Sequence, residues 1–380
     1  MRKRGHKRGK KRGDKKRSGF SKFVWLICRI IVIVMALSLV ISYCSIVINP
    51  AKFPIPLFFG LYFVPLVLVN ILLLIICLLA RSRAAWITFL SLLPSLLFAE
   101  LFFRWNNPSE TQHGNSLKIC TYNVGLFAQK HTGRSSGKSS PAEERTALLR
   151  DVAAFVTKQQ PDVICLQEFY IRDTSIIPAT FYEYPYHQFH LFKTRIGGGF
   201  GNLTLSRYPI ISGDKILFKG GTNLCIYSDI RFKNNTLRVY NVHFESHSIS
   251  FTGLIKKLAH SESLSEEIAD VHDKVAGTFK KRALQVDKIS DHAKESVYPS
   301  FICGDFNDTP MSYTYHNMMK DKKDSFGESG KGFSATYTHL WPLLRIDYIL
   351  YPGQFNSTAH KTVKVKYSDH YPVFADIIIP

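Results

Sequence analysis

The chain has 380 residues, 46% hydrophobic and 21% charged, with 49 Lys and Arg against 29 Asp and Glu, a formal net charge of +20. This apolar content excludes a wholly disordered or collagen-like chain, and the length allows two or three domains of about 150 residues. Averaged over the chain, the mean hydropathy of −0.03 points to a soluble protein and the charge to a nucleic-acid binder, but charge and apolar residues are segregated.

Residues 1–20 hold eleven Lys and Arg against one acid, Asp14. Three apolar runs follow: 30–48 and 53–80 are uncharged, and 84–103 contains only Glu100. About 20 helical residues cross a hydrocarbon core, so each run qualifies as a span. Buried helices of soluble proteins rarely stay apolar so long without a polar face. The expected organisation is a basic tail over 1–21, three transmembrane helices near 26–48, 54–80 and 84–103, and a linker over 105–116. Pro54, Pro56, Pro65 and Pro94 are tolerated in lipid-embedded helices. The tail and the Arg81–Arg83 turn share one side of the membrane, which the positive-inside bias makes cytoplasmic. An integral, multi-pass protein of the cell or inner membrane follows, with residues 105–380 outside the cytoplasm. That outer part has 32 basic and 27 acidic residues, a net of only +5.

From Ser116 onward, short β-rich runs alternate with turns: 117–124, 162–169, 201–207, 223–232, 236–244, 298–305, 346–351 and 371–379. Leu224, Ile226, Ile230 and Phe232 recur at period two, as strand side chains do. Asn234–Asn235 reads as a hairpin turn. Helices are expected over 142–158 and 278–294; in the second, Phe279, Ala283, Val286 and Ile289 form one apolar face. Hairpins together with crossovers imply an α/β sandwich. Residues 246–277 read as an insertion or mobile loop, and Gly197–Gly201 as a flexible loop near the cleft. Cys120, Cys165, Cys225 and Cys303 lie in apolar runs and are expected as free thiols, although export would permit three pairings.

Polar residues collect where strands end: Asn123, Gln167–Glu168, Asn241/His243 and Asp305/Asn307. Strand ends are where α/β proteins build sites. Each residue alone also fits a turn, surface or hydrogen-bonding role. There is no G-x-S-x-G elbow, H-E-x-x-H motif or zinc-spaced cysteine pair, and Gly197–Gly201 lacks the Lys–Ser/Thr of a phosphate loop. Arg282 and Gln285 read as structural.

The ordered runs Tyr122–Asn123, Leu166–Gln167–Glu168, Leu205–Ser206–Arg207–Tyr208–Pro209–Ile210, Asn241–Val242–His243, Gly304–Asp305–Phe306–Asn307, Arg345–Ile346–Asp347–Tyr348–Ile349 and Ser368–Asp369–His370 resemble the endonuclease/exonuclease/phosphatase superfamily. The similarity spans residues 117–380, about 70% of the chain, and suggests a membrane-anchored member of bacterial type. It implies a deoxyribonuclease I-like four-layer α/β sandwich and hydrolysis of phosphate esters with Mg²⁺, Mn²⁺ being a possible substitute. It further implies that Glu168 is the principal metal ligand, with Asn123 beside it and Asp369 contributing. Asp347 would orient His370, and His243 would face the phosphate. Asp305 would handle the attacking water, and Asn307 would donate to a non-bridging oxygen. Asp305 and His370 remain alternatives for the general base.

A membrane-anchored phosphodiesterase acting on a lipid head group is the first functional expectation, with membrane lipids and a phosphate ester as partners. Anchoring would raise its effective concentration at lipid. Alternatives are an exported nuclease, a phosphomonoesterase on soluble phosphates, and a non-catalytic binding protein on the same fold. No protein partner is implied.

Overall fold

A computed structural model describes residues 19–106, 115–128, 141–195, 197–246, 264–333, 335–338 and 344–380. Most of the basic tail and the middle of the 105–116 linker lie outside the described residues. The strands are β1 (Phe103–Trp105), β2 (Ser116–Asn123), β3 (Val163–Ile171), β4 (Tyr186–Lys193), β5 (Gly199–Ser206), β6 (Ile210–Leu217) and β7 (Leu224–Phe232). They continue with β8 (Asn235–His243), β9 (Ser300–Asp305), β10 (Lys322–Asp324), β11 (Lys331–Phe333), β12 (Asp347–Pro352), β13 (Asn356–Thr362) and β14 (Val373–Ile378).

Two six-stranded sheets form, ordered β13-β14-β2-β3-β5-β4 and β10-β12-β9-β8-β7-β6. Each has a parallel pair at its centre, β2 with β3 and β8 with β9, and antiparallel strands around it. Leu237 and Val239 of β8 face the space between the sheets, where Leu117, Ile119, Val163, Phe301 and Ile349 join them. Tyr240 and Val242 face outward onto Val286 and Ile289 of the helix Leu264–Lys294. Tyr122 and Leu166 of the first sheet meet Leu148 and Val152 of the helix Pro141–Lys158. Central strands are thus covered on both faces, which explains their nearly unbroken apolar composition. Helix, sheet, sheet and helix make the four-layer sandwich.

Several sequence expectations need correction. β5 begins at Gly199, so Gly199–Gly201 is strand and not loop. A β-carbon at Gly201 would run into the His190 carbonyl of β4, so the glycines serve close strand packing. The β7–β8 turn is Lys233–Asn234, one residue earlier than expected, with Phe232 opposite Asn235 and Lys233 at φ 52°. The later helix starts at Leu264, inside the expected insertion; 247–263 lies outside the described residues. β4, β6 and β13 were not anticipated, because as edge or half-exposed strands they lack a continuous apolar face. All seven cysteines are free.

The three-span expectation is also revised. One helix, Phe23–Ile46, is long and apolar enough to cross a membrane unbroken. The second run is a helix pair, Ile55–Leu61 and Phe63–Leu79, bent by 72°. The third is an eight-residue helix, Ala85–Leu92, continued by the 3-10 segment Leu93–Leu101. Pro94 lacks the amide proton an α-helix would need there, which tightens the turn. These segments pack as a hairpin along the first helix. Leu66 and Leu92 lie near Leu39, Cys77 and Ala85 near Val32, and the Tyr43 hydroxyl donates to the Ser91 carbonyl at 2.8 Å.

Candidate active site

Parallel pairing brings the carboxyl ends of β2, β3, β8 and β9 to one edge of the sandwich. In the second sheet His243 is registered with Asp305, and Asp305 with Asp347. In the first, Asn123 is registered with Gln167. Seven of the anticipated residues meet between these edges: Asn123, Glu168, His243, Asp305, Asn307, Asp347 and His370.

Asp305 is the centre, with 1% of its surface exposed. The Asn123 amide nitrogen donates to its Oδ2 at 2.9 Å, and the Asn307 backbone N–H to its Oδ1 at 2.8 Å. Nε2 of His243 and Nε2 of His370 each lie 3.8 Å from its Oδ2. Burial, which strips water from the charge, lifts the Asp305 carboxyl to about 6 against the partial opposition of both histidines. His370 Nδ1 lies 2.9 Å from Asp347 Oδ2. Burial pushes this imidazole down, but the charges of Asp347 and Asp305 outweigh it and raise the group to about 10. Asp347 is itself positioned by the Thr336 hydroxyl, which accepts its backbone N–H at 3.1 Å.

Glu168 breaks the regular geometry of β3. Its φ is 50°, at a register shift between Leu166 and Phe169. The left-handed backbone costs about 1–3 kcal/mol and turns the carboxylate toward the cleft while Gln167 stays inside. Glu168 has 30% of its side chain exposed, and its Oε1 accepts from Asn123 at 3.2 Å. The Asn123 oxygen accepts from the Gly125 N–H at 3.0 Å. Asp369 is half-buried, and its backbone carbonyl accepts from the Thr338 N–H at 2.8 Å. Asn307 differs from the expectation: its amide donates to the Phe244 carbonyl at 3.0 Å and to Asp305 Oδ2 at 3.2 Å. Its amide thus bridges the Phe244 carbonyl and Asp305.

Ser368 and Tyr337 were not assigned a role from sequence. Ser368 donates to the Asn123 carbonyl at 2.8 Å and accepts the His370 N–H at 3.2 Å, joining two catalytic segments; its position beside Asp369–His370 was the available signal. The Tyr337 ring packs edge-on against His370 at 5.2 Å. Burial, then the charges of Asp369, Asp305 and Glu168, raise its hydroxyl. Beneath the site Gln167 donates to Asn241 at 2.8 Å, and Asn241 donates to the Leu166 and Leu203 carbonyls at 3.2 and 3.1 Å. Arg282 donates to the Glu245 carbonyl at 2.8 Å, and Gln285 accepts the Glu245 N–H at 2.8 Å. Both fix the chain that follows β8.

The residues present suit a cation. Ligand atoms of Asp305, Asp347 and His370 lie within 4.8 Å of one another. His370, however, is raised to about 10 and so carries a proton rather than a free lone pair, which leaves Glu168, 30% exposed at the cleft, as the carboxylate open to an ion. Nε2 of His243 is buried with no hydrogen-bond partner among the described residues, 3.6 Å from Glu168 Oε1. Oδ1 of Asp347 is likewise unpartnered there. A carboxylate-rich set with one solvent-reaching member favours a hard ion that retains waters.

A four-layer sandwich gathers carboxylates and histidines at its strand ends, an arrangement found in a family of phosphate-ester hydrolases. The chain belongs to the Endonuclease/Exonuclease/phosphatase family, whose model matches residues 120–370. A domain of unknown function (DUF8431) matches residues 21–102. No curated protein matches. Among solved structures, an endonuclease/exonuclease/phosphatase from Beutenbergia cavernae is 19% identical over 70% of this chain and 72% of its own, with a TM-score of 0.50. One from Bacteroides vulgatus is 15% identical over 70% and 99%, with a TM-score of 0.48. A family member from Leptotrichia buccalis is 15% identical over 69% and 100%, with a TM-score of 0.46.

Proposed function

We propose that the chain is a membrane-anchored phosphodiesterase that uses Mg²⁺, with Mn²⁺ as a substitute, to direct water at phosphorus. The observation behind this reading is Asp305: buried, held by Asn123 and Asn307, and within 3.8 Å of two histidine nitrogens. Glu168, with Asn123 and Asp369 near it, would hold the cation, which when bound neutralises charge building on the phosphate. Asp305 takes the proton of the attacking water as the new P–O bond forms. The bond from phosphorus to the leaving oxygen breaks in line with it. His370, kept as an imidazolium by Asp347, gives its Nε2 proton to that oxygen. The proton on Asp305 then returns to His370, and one water has been added across the ester. The unfilled Nε2 of His243 faces the place of a non-bridging oxygen.

Anchoring is supported by the surface of the N-terminal helices. Ile30, Val34, Leu37, Leu72, Ile76 and Leu90 are exposed, as are Leu79 and Leu97 at 81%. An apolar surface this extensive has no place in water. The Phe63–Leu101 hairpin returns the chain to the Ile46 end, so the catalytic domain lies across the membrane from the basic tail.

The test is hydrolysis of bis(p-nitrophenyl) phosphate by the full chain in detergent with Mg²⁺. EDTA, Glu168→Ala and His370→Ala are each expected to lower turnover by about 10³-fold or more, with circular dichroism unchanged. Full turnover in EDTA, or in either variant, would contradict the mechanism.

A further inference from the structure

We infer that the substrate is a membrane-resident lipid phosphodiester, cleaved at the level of the head groups; this rests on the phosphodiesterase reading and names its substrate. The helix Phe23–Ile46 has 24 residues, about 36 Å at 1.5 Å per residue. The hydrocarbon core is about 30 Å thick, so the Ile46 end emerges among the head groups. There the Ser45 hydroxyl donates to the Met311 carbonyl at 2.8 Å. Met311 follows Asn307 by four residues, which extend at most about 14 Å. A second tether is independent of the first. The Leu101 carbonyl, at the end of the third apolar segment, accepts from Arg345 at 3.1 Å. Arg345 precedes Asp347 by two residues, at most about 7 Å of chain. Asn49 adds a third contact, donating to Asp287 and the Tyr313 hydroxyl, both at 3.2 Å.

Adding the tethers to the chain, the site residues are held within about 20 Å of the outer helix ends, on two loops that carry the site's own residues. An aromatic rim follows the third apolar segment in the chain. β1 follows Leu101 directly and pairs with β11. Phe103 packs on Trp105 at 4.7 Å and on Phe333 at 4.8 Å, leaving Trp105 85% and Phe333 53% exposed. Four residues beyond Phe333 is Tyr337, whose ring meets His370. Exposed aromatics beside a span are suited to the membrane–water interface. A site for nucleic acid or free phosphates has no need of this height or of an apolar rim, whereas a lipid's phosphodiester lies there already.

The experiment uses the full chain in phosphatidylcholine vesicles with Mg²⁺ and three probes: hexadecyl p-nitrophenyl phosphate, ethyl p-nitrophenyl phosphate and a short single-stranded DNA. The hexadecyl ester is expected to react at least about tenfold faster than the ethyl ester, through its concentration at the surface. Trp105→Ser with Phe333→Ser should lower the hexadecyl rate about fivefold and leave the ethyl rate unchanged. An ethyl ester or DNA cleaved as fast as the hexadecyl ester would overturn the inference and leave the phosphodiesterase reading standing. A double variant that lowers both ester rates equally would also overturn it. No hydrolysis of any probe would remove the reading and the inference together.

Discussion

Gly304 shows how narrowly the catalytic residues are constrained. Its φ is +143°, and a β-carbon there would meet the Val242 carbonyl of the parallel neighbour β8. Gly304→Ala is expected to cost about 3 kcal/mol, read as a lowered melting temperature of the full chain in detergent. The two buried ionisable groups set a pH dependence of the metal-free protein. His370 rises from an ordinary 6.5 to about 10 on folding, and Asp305 from 3.8 to about 6. Both folded groups bind a proton more tightly than the unfolded chain does. The His370 contribution is thus full below pH 6.5 and lost as pH rises through 10; that of Asp305 is full below 3.8 and gone above 6. In EDTA the melting temperature should fall between pH 7 and 10, and His370→Asn should flatten that fall. An unchanged slope in the variant would show that His370 is not held as an imidazolium.

Within the elements, the amide network beneath the site binds the two sheets. Asn241 on β8 meets Gln167 on β3 and the carbonyls of Leu166 and Leu203, while Asn202 on β5 donates to the Asn241 carbonyl at 3.0 Å. These groups are fully buried, so each lost partner leaves a desolvated polar atom. Asn241→Leu is expected to destabilise by about 3 kcal/mol, measured by thermal unfolding in detergent, and to lower activity by loosening Glu168, the residue after Gln167. A variant as stable as the parent would show that the network is dispensable.

Across the whole molecule, the N-terminal helices act as more than a tether. They bond to Met311 and Arg345, within four residues of Asn307 and two of Asp347 in the candidate site. Buried Arg345 also pairs with Asp324 and lies over the Phe326 and Tyr348 rings, so the Leu101 carbonyl is continuous with the core. The parity of the chain path gives a topology test. A reporter active only in the cytoplasm, fused after Pro380, is expected to stay silent. A bright reporter would reverse the orientation.

By itself the sequence determined the order of the strands that bear the site, because strands buried on both faces must be apolar and must end in polar residues where they leave the core. It also showed where the long uncharged apolar runs lie, one of which is a helix long and apolar enough to cross a membrane. It was less informative about the second and third apolar runs: composition does not register a 72° bend or a 3-10 segment. Nor did it reveal that the Asn307 amide turns back onto Asp305, that Tyr337 covers His370, or that Glu168 adopts a left-handed backbone. The last two depend on a partner distant in the chain and on a register shift between strands, and the first on the Phe244 carbonyl that the Asn307 amide also reaches. Residue type and order named the chemistry; tertiary contacts decided which groups touch and how the apolar helices are tied to the loops of the site.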